Sequence, residues 1–368
     1  MRRWGTADRR GSAAVLILGL ALAGCSTGGT VSGSAKTATG KASGTTTPGR
    51  GGASTAPSVA SGRQGLPTAP PPPDTTVSQA DAAAALKAYQ STNNAADAGL
   101  DTAAMAKIES GSQLALDQTT LVYDQGIGGD RAKQAKMPST YTNPVFYRVP
   151  ATTYPRGFFV TTDAVTSGVA NSSFLMHFTQ DQAGAPWLLD TTVTLGSGQQ
   201  WPAFAVGPDG LLDYNATQQN NLLLAPADLA AADRTMLADD NAGQPGSPFL
   251  SDDPTTAELR WIQGMTENVA PASAALTVTT APTPPPIYLP LKDGGELVLY
   301  GTRLSLRISQ SGRTFTFGDE GWAKVAGSDS ISDEYTADAL WMVAAIDPPD
   351  KAAKVQKIAQ YGGLVAVH

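Results

Sequence analysis

Between residues 26 and 77 the chain has only four large apolar side chains, Val31, Val59, Leu66 and Val77, in a run dominated by Gly, Ser, Thr, Ala and Pro. Such a segment cannot bury enough surface to offset the entropy of ordering its backbone. A packed core is therefore expected only in residues 78–368, a length that suits two domains. The tract itself reads as a tether. It is Gly/Ser/Thr-rich coil that stiffens at Pro70-Pro71-Pro72-Pro73, with a reach of about 40 Å as coil and about 160 Å fully extended.

Ahead of the tether, Arg2, Arg3, Arg9 and Arg10 precede an apolar stretch from Ala13 to Ala23. This is the anatomy of an export signal. The apolar stretch is too short for a stable membrane span, which needs about 20 residues. It closes on Leu22-Ala23-Gly24-Cys25, and Cys25 is the single cysteine of the chain. These four residues resemble the lipobox of bacterial lipoproteins. The resemblance implies cleavage before Cys25, a diacylglyceryl group on its thiol, and a protein lipid-anchored at the outer face of the cytoplasmic membrane. Two or three acyl chains hold far better than one, at about 0.8 kcal/mol per buried CH₂. Arg9-Arg10 leaves both general and twin-arginine export open.

The formal charge of −7 hides a division: residues 1–24 and 25–77 carry +3 each, which leaves −13 for residues 78–368. An acidic body repels nucleic acid, because duplex binding depends on Lys and Arg neutralising phosphates. It repels anionic lipid for the same reason, and acidity on this scale serves solubility first. The only histidines are His177 and the terminal His368. With no cysteine beyond Cys25, the folded part excludes a disulfide framework, a Cys/His zinc site and a cysteine nucleophile.

The hydrophobic pattern divides residues 78–368 into two halves, 78–221 and 222–368, with the same order of elements. In the first, Ser78 caps a helix whose Ala82, Leu86 and Tyr89 share one face. A second helix follows Asp101, with Leu100, Ala104 and Ile108 aligned and Gly111 ending it, and a third covers 113–123. Period-two segments then appear at 145–149, 157–162, 173–179 and 187–195, with a hairpin turn at Gly207-Pro208-Asp209-Gly210. The second half opens with Pro226 at a first helical position, then Leu229, Ala232 and Met236 at helical spacing. Asp253-Pro254 starts another helix carrying Trp261, Ile262 and Met265. Strands follow at 276–278, 296–300, 303–308, 314–317, 340–346, 355–360 and 364–367, and Asp293-Gly294-Gly295 is a strong hairpin turn. Phe174-Leu175-Met176 lies beside Leu340-Trp341-Met342 when the halves are superposed in sequence. Helices first and antiparallel strands after is an α+β pattern. The expectation is two tandem domains, each a curved sheet over its helices, like the cones of nuclear-transport-factor-like and cystatin-like domains.

Several motifs occur in a persuasive order: the lipobox and tether, Ile108-Glu109-Ser110-Gly111, Trp201-Pro202-Ala203-Phe204-Ala205-Val206 before its turn, and Leu224-Ala225-Pro226-Ala227-Asp228-Leu229. With the Ala-rich, Lys-poor composition, this layout resembles the secreted lipoproteins of high-GC actinobacteria such as Streptomyces, along most of residues 78–368. The resemblance implies cell-surface anchoring and brings no catalytic residues with it.

Chemistry-bearing patterns are sparse. Serine catalysis needs a base, and only His177 is available within the body. It alternates with Leu175 in a strand, which suits a half-buried histidine. Asp239-Asp240 and Asp252-Asp253 are sequence neighbours whose side chains diverge, and Asp253 serves as a helix cap. Asp329, Asp333, Glu334 and Asp338 read as a solvated acidic loop, since their spacing departs from that of a Ca²⁺ loop. Gly126-Ile127-Gly128-Gly129-Asp130 follows a helix and leads into no phosphate-cradling turn. Of the aromatics Trp201, Phe204, Trp322 and Trp341, Trp341 reads as core and Trp201 as the better surface candidate. No metal site and no cofactor is expected. The reading is a non-enzymatic surface lipoprotein that binds an envelope protein or a small ligand in a groove between sheet and helices, with Trp201 and His177 as weak binding candidates. The alternatives are a carboxylate-based hydrolase or isomerase in a cone pocket, and a structural or chaperone-like cell-wall spacer.

Overall fold

The computed structural model describes residues 75–368 apart from 130–132, 135, 167–168, 197–198, 219–220, 240–243, 252–254, 257, 261–274, 283–285 and 318. The leader, Cys25 and the tether lie outside these residues. So do Asp240, the Asp252-Asp253 pair, and Trp261, Ile262 and Met265 of the expected second helix.

Helix α1 (Gln79–Gly99) starts where its cap allows: Ser78 Oγ accepts from the Asp81 amide at 3.0 Å, satisfying one first-turn donor. Its Ala82, Ala85, Leu86 and Tyr89 are buried. Helix α2 (Thr102–Met105) is capped by Asp101, whose Oδ1 accepts from the amides of Ala103 and Ala104. It does not continue to Ile108 and Gly111 as the spacing predicts, because a strand captures its backbone. The Leu189 amide donates to the Ile108 carbonyl at 2.9 Å, and the Ser110 amide donates to the Leu189 carbonyl at 3.0 Å. Gly111, at φ +57°, then opens helix α3 (Gly111–Ile127) instead of closing the preceding one.

Four strands follow as an antiparallel meander: β1 (Ser139–Arg148), β2 (Arg156–Thr166), β3 (Val169–Gln180) and β4 (Leu188–Leu195). After helix α4 (Pro226–Asp239) come β5 (Ala275–Pro282), β6 (Ile287–Pro290) and β7 (Glu296–Thr316). Helix α5 (Glu320–Ala326), β8 (Ser330–Asp347) and β9 (Gln356–Val367) complete the order. The fold is α+β, helices first and antiparallel strands after. The three short strands expected between 296 and 317 are one strand, β7, whose partner β8 runs beside it for most of its length.

All nine strands form one sheet in the order β1-β2-β3-β4-β9-β8-β7-β5, with β6 paired to β7. The meander joins the later strands through two residue pairs, Thr194↔Gln360 and Leu195↔Ala359. From that junction the order counts backwards on both sides: β4, β3, β2, β1 on one, and β9, β8, β7, β5 on the other. Antiparallel pairing of the two last strands is the arrangement a two-fold relation between equivalent units requires.

Strand alternation sorts the core into layers. Phe158, Val160, Met176 and Phe178 pack with Leu86 and Tyr89 of α1. Val298, Tyr300, Trp341 and Val343 pack with Leu229 and Met236 of α4. The residues of opposite parity, Phe159, Leu175 and Val193 with Leu297, Leu299 and Met342, share one middle cluster drawn from both halves. Each buried Leu, Val or Phe contributes about 1.5–3 kcal/mol. No helix among the described residues is long and apolar enough to cross a membrane.

Candidate functional site: an acidic cavity between helices and sheet

The buried stripe of α1 does not stay apolar. Beyond Tyr89 it continues with Asn93 and Asp97, each one turn further on. Helix α3 does the same with Gln113, Asp117 and Asp124. These polar groups face strands β1 to β4 and Tyr361 of β9 across a cavity of about 120 Å³. Tyr141, Phe174, Met105 and Met176 supply much of its apolar wall.

A hydrogen-bond chain runs through the wall. Asn93 Nδ2 donates to Asp97 Oδ2 at 2.9 Å. Tyr89 OH lies 3.2 Å from Asn93 Oδ1 and donates to Glu109 Oε1 at 2.8 Å. Asp117 accepts from Tyr361 OH at 2.9 Å and from Gln113 Nε2 at 2.8 Å. Tyr361 thus brings the last strand of the second half to the helix of the first.

Burial dominates the electrostatics. It pushes the Asp97 carboxyl up to about 7, helped by the charge of Asp117. Burial and then Asp117 hold Glu109 well above the usual carboxylate range. Asp117 is raised by burial, against hydrogen bonds from Glu109, Gln113 and Tyr361 that favour its anion. The phenols of Tyr89 and Tyr361 are pushed well up by burial and then by Glu109 and Asp117 respectively, so both stay donors. Among the described residues, no group of three or more Asp, Glu, His and Cys is arranged to hold a metal ion. The described lining holds Asp97, Asp117 and Asp124 and no Lys, Arg or His.

The residues singled out from sequence lie elsewhere. His177 Nδ1 pairs with Asp190 Oδ1 at 2.8 Å, and its ring stacks on Phe159 with centroids 4.4 Å apart. A Cβ at Gly157 would fall 2.9 Å from Nε2, so the neighbouring strand closes over the other ring nitrogen. The residue is a packed strut on the sheet face opposite the cavity. Trp201 is partly buried against the middle cluster and donates from Nε1 to Ser173 Oγ at 3.0 Å. Phe204 and Trp341 are buried, and Trp322 packs on Tyr123 with ring centroids 4.9 Å apart. None of these five is in the described lining.

The acidic run expected as a loop is part of strand β8. Asp338 pairs with Arg303 at 2.7 Å, and Glu334 pairs with Arg307 at 2.7 Å, both across the β7–β8 ladder. Asp329 lies just before the strand. For Asp239, whose partner Asp240 is outside the described residues, only its place at the end of α4 is established.

Residues 73–368 match the family model described as a domain of unknown function, DUF8094. The chain belongs to this family. The DUF8094 match takes in both halves of the sheet and every residue of the cavity wall. Comparison with curated proteins and with solved structures gives no match.

Proposed function

We propose that this chain is a lipid-anchored surface protein that binds a small ligand, without transforming it, in the cavity between α1, α3 and the sheet. The observation that carries this reading is the cavity itself. Three helices and five strands line it with polar groups that a core would normally exclude, and maintaining them costs stability. The anchor is supported by Leu22-Ala23-Gly24-Cys25 and by Cys25 being the one cysteine.

The test has two readouts. Cys25→Ala should release the protein from the membrane fraction into the medium; unchanged membrane association would contradict the anchor. Thermal denaturation of the wild-type chain against a small-molecule set should give concentration-dependent stabilisation by at least one compound. If nothing stabilises the protein, and nothing is recovered from it by denaturing mass spectrometry, the binding reading fails.

One observation favours a second reading, a carboxylate-based hydrolase or isomerase. Asp97 titrates at about 7 beside two further acids, which suits proton transfer at neutral pH. A compound that enters the cavity and leaves chemically altered, with Asp97→Asn abolishing the change, would replace binding with catalysis.

A further inference from the structure

The class of ligand follows from what the cavity wall leaves unsatisfied, and this step rests on the binding reading above. Gln113 is 3% exposed and lines the cavity. Its amide nitrogen is committed to Asp117, which fixes the orientation of the amide and leaves Oε1 with no hydrogen-bond partner. Thr192, on the facing strand β4, is 6% exposed, lines the same cavity, and also has a partnerless Oγ1. Buried polar atoms in native proteins are nearly always paired, and an orphan costs about 1–3 kcal/mol. A carbonyl oxygen can be satisfied only by a donor.

Charge points the same way. Asp97, Asp117 and Asp124 line the cavity, and no cationic side chain does among the described lining residues. Tyr89, Tyr141 and Phe174 also line it, and aromatic rings attract cations. A quaternary ammonium would satisfy the charge and leave both orphan acceptors unmet. A primary ammonium carries three N–H donors beside its charge, enough for both acceptors. We infer that the cavity takes a primary alkylammonium group, with N–H donors for Gln113 Oε1 and Thr192 Oγ1, its charge against Asp97 and Asp117, and its alkyl chain against Met105, Met176 and Phe174. A volume of about 120 Å³ compares with a cavity of about 150 Å³ that holds benzene, so a chain of about five or six heavy atoms fits. The group can belong to a free amine or to a lysyl side chain.

Binding of a cation is tied to proton release. The titratable groups lining the cavity are Asp97 and Tyr89 on α1, Asp117 and Asp124 on α3, Tyr141 on β1 and Tyr361 on β9, with Glu109, before α3, behind them as the acceptor of the Tyr89 hydroxyl. Strands β2, β3 and β4 bring none to the described lining. With Asp97 titrating at about 7, an ammonium ion competes with its proton, so affinity rises from pH 5.5 to pH 8.

Isothermal titration of the full mature chain tests this with n-butylammonium, 1,4-diaminobutane and Nα-acetyl-lysine amide, against n-butanol and butyrate as neutral and anionic isosteres. The expected result is saturable binding of at least one amine, stronger at pH 8 than at pH 5.5, with neither isostere binding comparably. Binding of the lysine amide alone assigns the source to a polypeptide side chain, and binding of the free amines assigns it to small molecules. Asp117→Asn should weaken amine binding about tenfold or more. Thr192→Val removes an orphan hydroxyl without changing side-chain shape, so it should leave the melting temperature unchanged or raised while weakening the amine about fivefold. If butanol or butyrate binds as well as the amines, the ammonium assignment is overturned and the cavity remains a ligand site. If no amine from either source binds, the assignment is overturned with water alone filling the cavity, and the binding reading then stands or falls on its own screen.

Discussion

Three carboxyls in separate parts of the molecule are held near neutrality by burial: Asp97 in the cavity wall, Glu258 beside Lys357, and Glu296, each at about 7. Lys357 answers both Asp233 and Glu258 at 2.7 Å with all three side chains fully buried, yet burial still outweighs its charge at Glu258. The sign of the linkage is definite. An acid whose folded pKa is raised binds its proton more tightly folded than unfolded. That contribution is fully present below the unfolded value near 4 and is lost as pH rises through the folded value near 7. The midpoint of guanidinium denaturation should therefore fall between pH 5 and pH 8, and Asp97→Asn should flatten part of that slope. A midpoint that is level or climbs over this range would contradict the account. The signal for the cavity was present in the sequence, in Tyr89, Asn93 and Asp97 spaced four apart on the stripe that begins with Ala82. It is a weak signal, because polar residues on a helix stripe are ordinarily read as the stripe ending. That Gln113, Asp117 and Tyr361 meet these groups is a matter of tertiary placement across more than two hundred residues, and no local pattern encodes it.

At the scale of elements, the strands and helices with strong periodicity sit where the pattern places them: α1 after its Ser78 cap, α4 from Pro226, and β2, β3 and β4. Elsewhere it is tertiary contact that decides the element. Asp333, Glu334 and Asp338 look like a loop until Arg303 and Arg307 arrive from a strand some thirty residues earlier, and cross-strand pairs of that kind make polar strands. The seven residues of helix α5 are too few to carry a periodic pattern. It is held by contact: Tyr123 OH of α3 donates to its cap, Asp319, at 2.6 Å, and two glycines let the helices approach. A Cβ at Gly126 would lie 2.6 Å from the Glu320 carbonyl, and one at Gly321 would lie 2.6 Å from the Tyr123 ring. Gly126→Ala should therefore destabilise the fold by about 1–3 kcal/mol in chemical denaturation, although alanine is the better helix former. A stabilised variant would show that the crossing is looser than described.

At the scale of the whole molecule, a single sheet runs through both halves, and its order is the same counted outward in either direction from the β4–β9 junction. The halves nevertheless differ in what they bury. Against α4 the buried charges are internally answered, two carboxylates by Lys357. Against α1 and α3 the described wall has carboxylates, tyrosines and unpaired acceptors, with no cation of its own. Buried acceptors without a partner occur in the second half too, at both Glu296 carboxyl oxygens and at Thr302; the first half is assigned the ligand because its own, at Gln113 and Thr192, line a cavity. The methionines divide usefully along the same line: Met105, Met137 and Met176 line the cavity, whereas Met236 and Met342 are buried in the other clusters. Methyl spectra of the methionine-labelled protein during titration with n-butylammonium should show the resonances of Met105, Met137 and Met176 shifting together while Met236 and Met342 stay fixed. Movement confined to Met236 and Met342, or no movement at saturating amine, would contradict the claim that this cavity is the binding site.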